Sequence, residues 1–291
     1  MDFKKDKIYF LGGATGTEIL RRGFPTKLPL WSAQVLFDKP ELLKEIYIDY
    51  LRVGADIITT NTFRTQRRTL AKAGLAHETE RINKLAVDIA VQARKEAGVD
   101  RSTYIAGCMT TLEDCYRPDL IPDDAALAAE HGEQAAILGK TSIDFFLLET
   151  FNTIREAKAA ATAVVEKTGK PFVMSFTANE AGDILNGDSW EEAIRVLSPL
   201  KPLAFMVNCV PCAVATKALQ KLKALTDLPL GAYANGSGTA ESDDGWMFGE
   251  PDKIHDYAAS ATEWIREGAT IVGGCCGTNP AYTLAYSQLQ P

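Results

Sequence analysis

Two hydrophobic patterns alternate along this chain. Short apolar runs rich in β-branched and aromatic residues fall at Ile8–Leu11, Ile57–Thr60, Tyr104–Ala106, Phe145–Leu148, Phe172–Phe176, Ala204–Val207, Leu230–Tyr233 and Thr270–Val272. Several are almost continuously apolar, as strands covered on both faces must be. Between them lie longer stretches with helical spacing. In PELLKEIYIDYLRVG, residues Leu42, Leu43, Ile46, Tyr47, Tyr50 and Leu51 recur at i, i+3 and i+4, and Gly54 follows as a stop. ETERINKLAVDIAVQARKEAG is patterned the same way and ends on Gly98.

Strands alternating with helices predict a parallel sheet built from βα units. Eight strand candidates in 291 residues fit one α/β domain, a (β/α)8 TIM barrel over residues 1–291, a fold that typically takes about 250 residues. A doubly wound open sheet is the alternative, because periodicity does not show whether the sheet closes. No low-complexity segment or Pro/Gly/Ser linker divides the chain. GAYANGSGTAESDDGW reads as loop and falls where a βα connection belongs.

With 46% hydrophobic and 24% charged residues, the composition is that of a globular protein. Net charge is −7 with both signs interspersed, which argues against a nucleic-acid partner bound through its phosphates. No run approaches the roughly eighteen apolar residues of a membrane span. In MDFKKDKIYFLGG the glycines Gly12 and Gly13 interrupt the apolar run, so no signal peptide is expected. A cytoplasmic location follows, where thiols stay reduced. The six cysteines then become candidates for metal or reactivity rather than a disulfide framework.

In βα folds, ligands bind beyond the carboxyl ends of the strands. Asn208-Cys209 follows the sixth run, and Gly273-Gly274-Cys275-Cys276-Gly277 follows the eighth. Three thiols therefore converge on one face from two strands separated by a single neighbour. Adjacent cysteines point oppositely on a regular strand, but a glycine-flanked turn allows both to face one point. Three thiolates leave the fourth tetrahedral position open, as catalytic zinc requires. The competing readings are cysteines packed as small hydrophobes, or a redox pair or half zinc site at Cys209-Val210-Pro211-Cys212, for which no second CxxC exists. Cys108 and Cys115 are expected to be buried or incidental thiols, with extra thiols near the mouth as the alternative. His77, His131 and His255 fall in helical or polar stretches and are expected on the surface.

The strings LGGATGTEI, LPLWSAQVL, GADIITTNTF, FFLLET, VNC and IVGGCCGTNP resemble, in order and spacing, those of the homocysteine S-methyltransferase family. The likeness runs from the first strand to the last. It implies a zinc-bearing (β/α)8 barrel that methylates homocysteine to methionine, with Cys209, Cys275 and Cys276 as zinc ligands. It implies that Glu149, at the end of the fourth strand, takes the ammonium of homocysteine; a helix N-terminal acid or a buried ion pair is the plainer role. The GGATGT turn at Gly13 offers backbone N–H groups to a carboxylate, unless it is a turn alone. Trp31 matches a tryptophan at the family's entrance, where its face suits a sulfonium or quaternary ammonium donor or a hydrophobic contact. Asn208 orients the site beside Cys209 or caps the next helix. The partners implied are a small-molecule thiol acceptor and a methyl donor. The chain holds no separate cobalamin or folate region, so the donor implied is an onium compound: S-methylmethionine, S-adenosylmethionine or a betaine. A different thiol or sulfonium substrate, or a structural thiol–metal site, are the alternatives.

Two departures from the family's pattern stand out. Relatives usually carry an acidic residue at the position of Gly12, sharing the substrate amine with Glu149. After the third strand, where relatives commonly have a glycine-rich turn, the chain reads GCMTTLEDCYRPD, in which Glu113 or Asp114 could supply the missing charge.

Overall fold

Each of the eight apolar runs becomes a strand of one closed parallel barrel in the computed structural model, which describes residues 3–241, 245–249 and 253–289. Its strands are β1 (Tyr9–Gly12), β2 (Ile57–Thr59), β3 (Tyr104–Met109), β4 (Phe145–Phe151), β5 (Phe172–Phe176), β6 (Phe205–Asn208), β7 (Leu230–Ala234) and β10 (Ala269–Gly274), with β10 pairing back onto β1. That closing ladder, Tyr9 opposite Ile271, excludes the open sheet. A short antiparallel hairpin, β8 (Thr239–Glu241) with β9 (Gly245–Met247), sits in the connection after β7, inside the stretch read as loop. Strands of three residues are too short for alternation to reveal them.

Eleven helices are described: α1 (Thr15–Arg21), α2 (Val35–Asp38), α3 (Pro40–Arg52), α4 (Arg67–Lys72), α5 (Thr79–Ala97), α6 (Asp124–Gly139), α7 (Ile154–Thr168), α8 (Trp190–Leu197), α9 (Cys212–Lys223), α10 (Ile254–Arg266) and α11 (Pro280–Ser287). The predicted stripe of α3 is buried throughout, and α5 ends on Gly98 in the left-handed conformation.

Alternation along the strands divides the apolar residues between two cores. Tyr9, Leu11, Phe145, Leu147, Met206 and Ile271 fill the barrel centre. Phe3 stacks edge-on against Tyr9 and Phe145, the first residues of their strands, and so stops the N-terminal end. The outward residues meet the helices. The C-terminal end is left for chemistry.

Two structural elements support that end. Glu18, from the GTE string, is fully buried and accepts from Arg21 Nε at 2.6 Å and Arg22 Nε at 2.7 Å, fixing α1 beneath the Gly13 turn. His131 overturns the expectation of three surface histidines. His77 and His255 are exposed, but His131 is wholly buried and its Nε2 lies 3.1 Å from Glu156 Oε1. It shares a face of α6 with Leu127, Gln134, Ala135 and Leu138, which packs against α7. Glu156 also accepts from Leu112 N at 2.8 Å, so the pair anchors the β3–α6 loop.

Candidate active site

β6 and β10 flank β7, so the segments leaving them meet over one point of the barrel mouth. Cys209 directly follows β6, and its N–H donates to Tyr233 O at 3.2 Å. Cys275 directly follows β10 and donates to Ala234 O at 2.8 Å, while Cys276 O accepts from Gly236 N at 2.8 Å. The three Sγ atoms lie within 4.8 Å of one another, with Cys209 and Cys276 at 3.8 Å. Sulfurs each about 2.3 Å from one tetrahedral metal sit about 3.8 Å apart, so the cluster fits such an ion.

The unusual backbone lies elsewhere than the glycines suggest. Cys209 itself takes a positive φ of 58°, and Gly277, at 80°, turns the chain only after the doublet. Gly13 is required by close approach: a Cβ there would lie 2.2 Å from Gly274 O. The sulfur of Cys209 accepts from the Cys275 and Cys276 thiols, which holds Cys209 well below the usual thiol range. The same bonds hold the other two thiols up.

Against the thiols lies a cavity of about 100 Å³ whose wall includes Gly13, Trp31, Thr60, Glu149, Cys209 and Cys276. Glu149 is its only carboxylate among the described residues. The β4–β5 register is irregular between Leu148 and Phe151, and Thr150 has a φ of 60°. A bulge of this kind re-aims a side chain, here Glu149. Asn208 holds it. This fully buried amide accepts from Thr150 N at 3.0 Å and Ser175 Oγ at 2.7 Å, and donates to Thr150 Oγ1 at 2.7 Å. It does not cap α9, whose N-cap is Pro211.

Cys108 lies within β3 and donates to Glu149 Oε1 at 2.8 Å; Tyr233 donates to Oε2 at 3.0 Å. Burial pushes the Glu149 carboxyl up to about 7, opposed by these two bonds. Burial and the facing carboxylate hold Cys108 and Tyr233 well above their ordinary values, so both remain donors.

Neither proposed replacement for the missing acid reaches this cavity. Glu113 pairs with Arg68 at 3.2 Å and Lys72 at 2.5 Å, because its loop turns it toward α4. Asp114 accepts from Tyr116 N at 2.8 Å and faces an adjoining cavity of about 260 Å³. The space beside Gly12 is also taken, since a Cβ there would meet Tyr50 Cβ at 2.9 Å.

Trp31 has a positive φ of 47° and packs edge-on to Phe63 at 6.2 Å, forming a wall common to both cavities. Cys115 is buried and lines the adjoining cavity with Cys209 and Cys276. Cys212 begins α9, with its sulfur 3.9 Å from Asn235 O and outside the cluster, so the CxxC spacing makes no pair. Sequence reasoning missed Tyr116. Its ring is partly exposed, but its hydroxyl donates to both Cys209 Sγ and Cys209 O at 3.1 Å.

The family model described as homocysteine S-methyltransferase matches residues 9–289. The homocysteine S-methyltransferase YbgG of Bacillus subtilis (strain 168) is 28% identical, covering 93% of this chain and 90% of its own length. A selenocysteine methyltransferase of Astragalus bisulcatus is 27% identical, covering 93% and 88%. The crystal structure of the homocysteine methyltransferase MmuM from Escherichia coli, in its metallated form, superposes with a TM-score of 0.82 at 28% identity, covering 97% of this chain and 96% of that one.

Proposed function

We propose, since this chain belongs to the homocysteine S-methyltransferase family, that it moves a methyl group from an onium donor to the sulfur of homocysteine, with zinc held by Cys209, Cys275 and Cys276. The observation carrying this reading is the trio of sulfurs, spaced for one tetrahedral ion, on the wall of a cavity that presents one carboxylate. Bound zinc keeps an acceptor thiol deprotonated near neutral pH, where the free thiol is only a few per cent thiolate.

The chain's own residues do the rest. Glu149 receives the acceptor's ammonium, and the Gly13 turn faces its carboxylate. Asn208 acts through Thr150, keeping the Glu149 bulge in shape. Trp31 and Phe63 cover the cavity against water and present aromatic faces to a cationic donor. The acceptor sulfur's lone pair forms the new S–C bond. The bond from the methyl carbon to the donor heteroatom breaks with its electron pair, leaving the donor neutral, and the thiol proton passes to solvent. Among the described residues no helix is long and apolar enough to cross a membrane; the reading is of one cytoplasmic barrel domain, residues 1–291, working on small molecules.

The test is methionine formation by zinc-loaded protein from L-homocysteine with S-methyl-L-methionine, S-adenosylmethionine or glycine betaine, followed by mass spectrometry. Methionine from at least one donor is expected. Methylation of another thiol or selenol, with none of homocysteine, would overturn the acceptor.

Tyr116 is the positioning residue for Cys209, binding both its sulfur and its carbonyl and so holding its left-handed backbone. Tyr116→Phe should weaken zinc binding about tenfold or more, the effect of losing a partner of a ligand. Competition against a chromophoric chelator measures this. Wild-type affinity in the variant would mean that Tyr116 is only a cavity wall.

A further inference from the structure

Tyr116 stands on a loop that its own strand and helix do not fix. Residues 110–123 connect β3 to α6, and their regular structure is a single 3-10 turn, Pro118–Leu120. The path of the loop therefore depends on what grips it, and the gripping side chains come from one short stretch after β4. Glu156 Oε1 accepts from Leu112 N at 2.8 Å and is backed by His131, whose Nε2 lies 3.1 Å away. Asn152 Nδ2 donates to Cys115 O at 3.1 Å. Arg155 donates through Nη2 to Pro122 O at 3.0 Å and through Nε to Asp124 Oδ1 at 2.7 Å. Residues 152–156 thus hold the loop near its start, at its middle and at its end.

The middle contact acts on Tyr116 most directly, because Cys115 O belongs to the peptide bond that enters Tyr116. Asp114 stiffens the same turn, accepting from Tyr116 N through Oδ1 at 2.8 Å and from Arg117 N through its carbonyl at 2.9 Å. Asn152 is 1% exposed, and its Oδ1 has no hydrogen-bond partner among the described residues. An apolar side chain would avoid that cost; what offsets it is the Nδ2 bond. Glu156 is buried as well, in the first turn of α7, where a negative charge is favoured.

We infer, on the reading that the three cysteines hold zinc, that residues 152–156 form a clamp that positions Tyr116 on Cys209 and so sets how tightly the metal is held. Tyr116 reaches Cys209 Sγ and Cys209 O from across the mouth, at 3.1 Å to each. A hydroxyl on a held loop keeps the ligand sulfur aimed before the metal arrives. On a free loop it must first be ordered, at a cost in affinity. The clamp begins three residues after Glu149, so the carboxylate for the acceptor and the contact on the metal ligand depend on one piece of chain. Asn152 and Arg155 are positioning residues: neither belongs to the cysteine cluster or lines the acceptor cavity.

A double-mutant cycle tests this, with zinc affinity read by competition against a chromophoric chelator. Asn152→Leu removes the amide at nearly constant volume. It should weaken zinc about tenfold, as Tyr116→Phe does. The double variant should be weaker than either single variant by less than about twofold, because the same contact is lost each time. Cobalt-loaded protein gives a second readout: the sulfur-to-cobalt charge-transfer band should move in Asn152→Leu as it does in Tyr116→Phe. Arg155→Met, at an exposed position whose replacement leaves the fold intact, should weaken zinc about two- to threefold and have no effect in the Tyr116→Phe background. That second cycle decides alone if Asn152→Leu does not fold. Wild-type affinity and band in Asn152→Leu, losses that multiply to about a hundredfold in the double variant, or an Arg155→Met loss that persists without the Tyr116 hydroxyl would overturn the clamp and leave the zinc site standing. Wild-type protein that binds no zinc would remove the zinc reading and the clamp with it.

Discussion

Replacing Cys275 with alanine is expected to strip the protein of zinc and of turnover together. The three sulfurs lie within 4.8 Å of one another, and removal of one leaves two ligands that cannot define a tetrahedral site with one open position. Turnover should fall by more than roughly a thousandfold, at least the effect of removing one preorganised electrostatic group from an active site. The comparison is Cys212→Ala, which removes the other thiol of the CxxC spacing but lies outside the cluster and should keep a full equivalent of zinc. Metal analysis by inductively coupled plasma spectrometry with a steady-state assay decides this. An active, zinc-loaded Cys275→Ala protein would sink the assignment of the site.

The second large effect is at Glu149. It is the only carboxylate described in the acceptor cavity, and both of its oxygens are already fixed by Cys108 and Tyr233. Glu149→Gln keeps the shape and removes the charge, leaving the acceptor's ammonium without a partner. Loss of one member of a buried charge pair costs about 2–4 kcal/mol, or roughly 30- to 1,000-fold in KM for homocysteine. The same residue sets a pH dependence. Burial raises its pKa to about 7, so it is largely protonated below that value and ionised above it. The ammonium is charged throughout this range, and attraction requires the ionised carboxylate. Acceptor binding should therefore strengthen as pH rises through about 7. The Gln variant should lose that component of the profile. An unchanged KM, or an unchanged pH profile, would show that the ammonium is held elsewhere, a point made sharper by Gly12, which offers no second acid.

The eight strands were legible because strands buried on both faces leave continuous apolar runs. The cysteine trio was legible because it depends only on which residues follow β6 and β10. What local pattern does not carry is contact across the mouth. Tyr116 reaches Cys209 over 93 positions of sequence, through a loop whose path depends on the buried His131–Glu156 pair. His131 itself was readable: its spacing from Leu127, Ala135 and Leu138 places it on the inner stripe of α6, against its polar character. The aim of Glu149 depends on a bulge held by Asn208, 58 residues away from Thr150, and no periodicity announces it. The missing acid at Gly12 was visible as a departure. That its place is filled by Tyr50 and Ala55, and that Glu113 turns to Arg68 and Lys72, required the packing.

The most direct measurement is zinc-edge X-ray absorption on the zinc-loaded protein before and after L-homocysteine is added. A site in which Cys209, Cys275 and Cys276 hold the ion and the acceptor completes it predicts three sulfurs at about 2.3 Å beforehand and a fourth at that distance afterwards. Four protein sulfurs at the outset, unchanged by homocysteine, would mean a closed structural site and contradict the account.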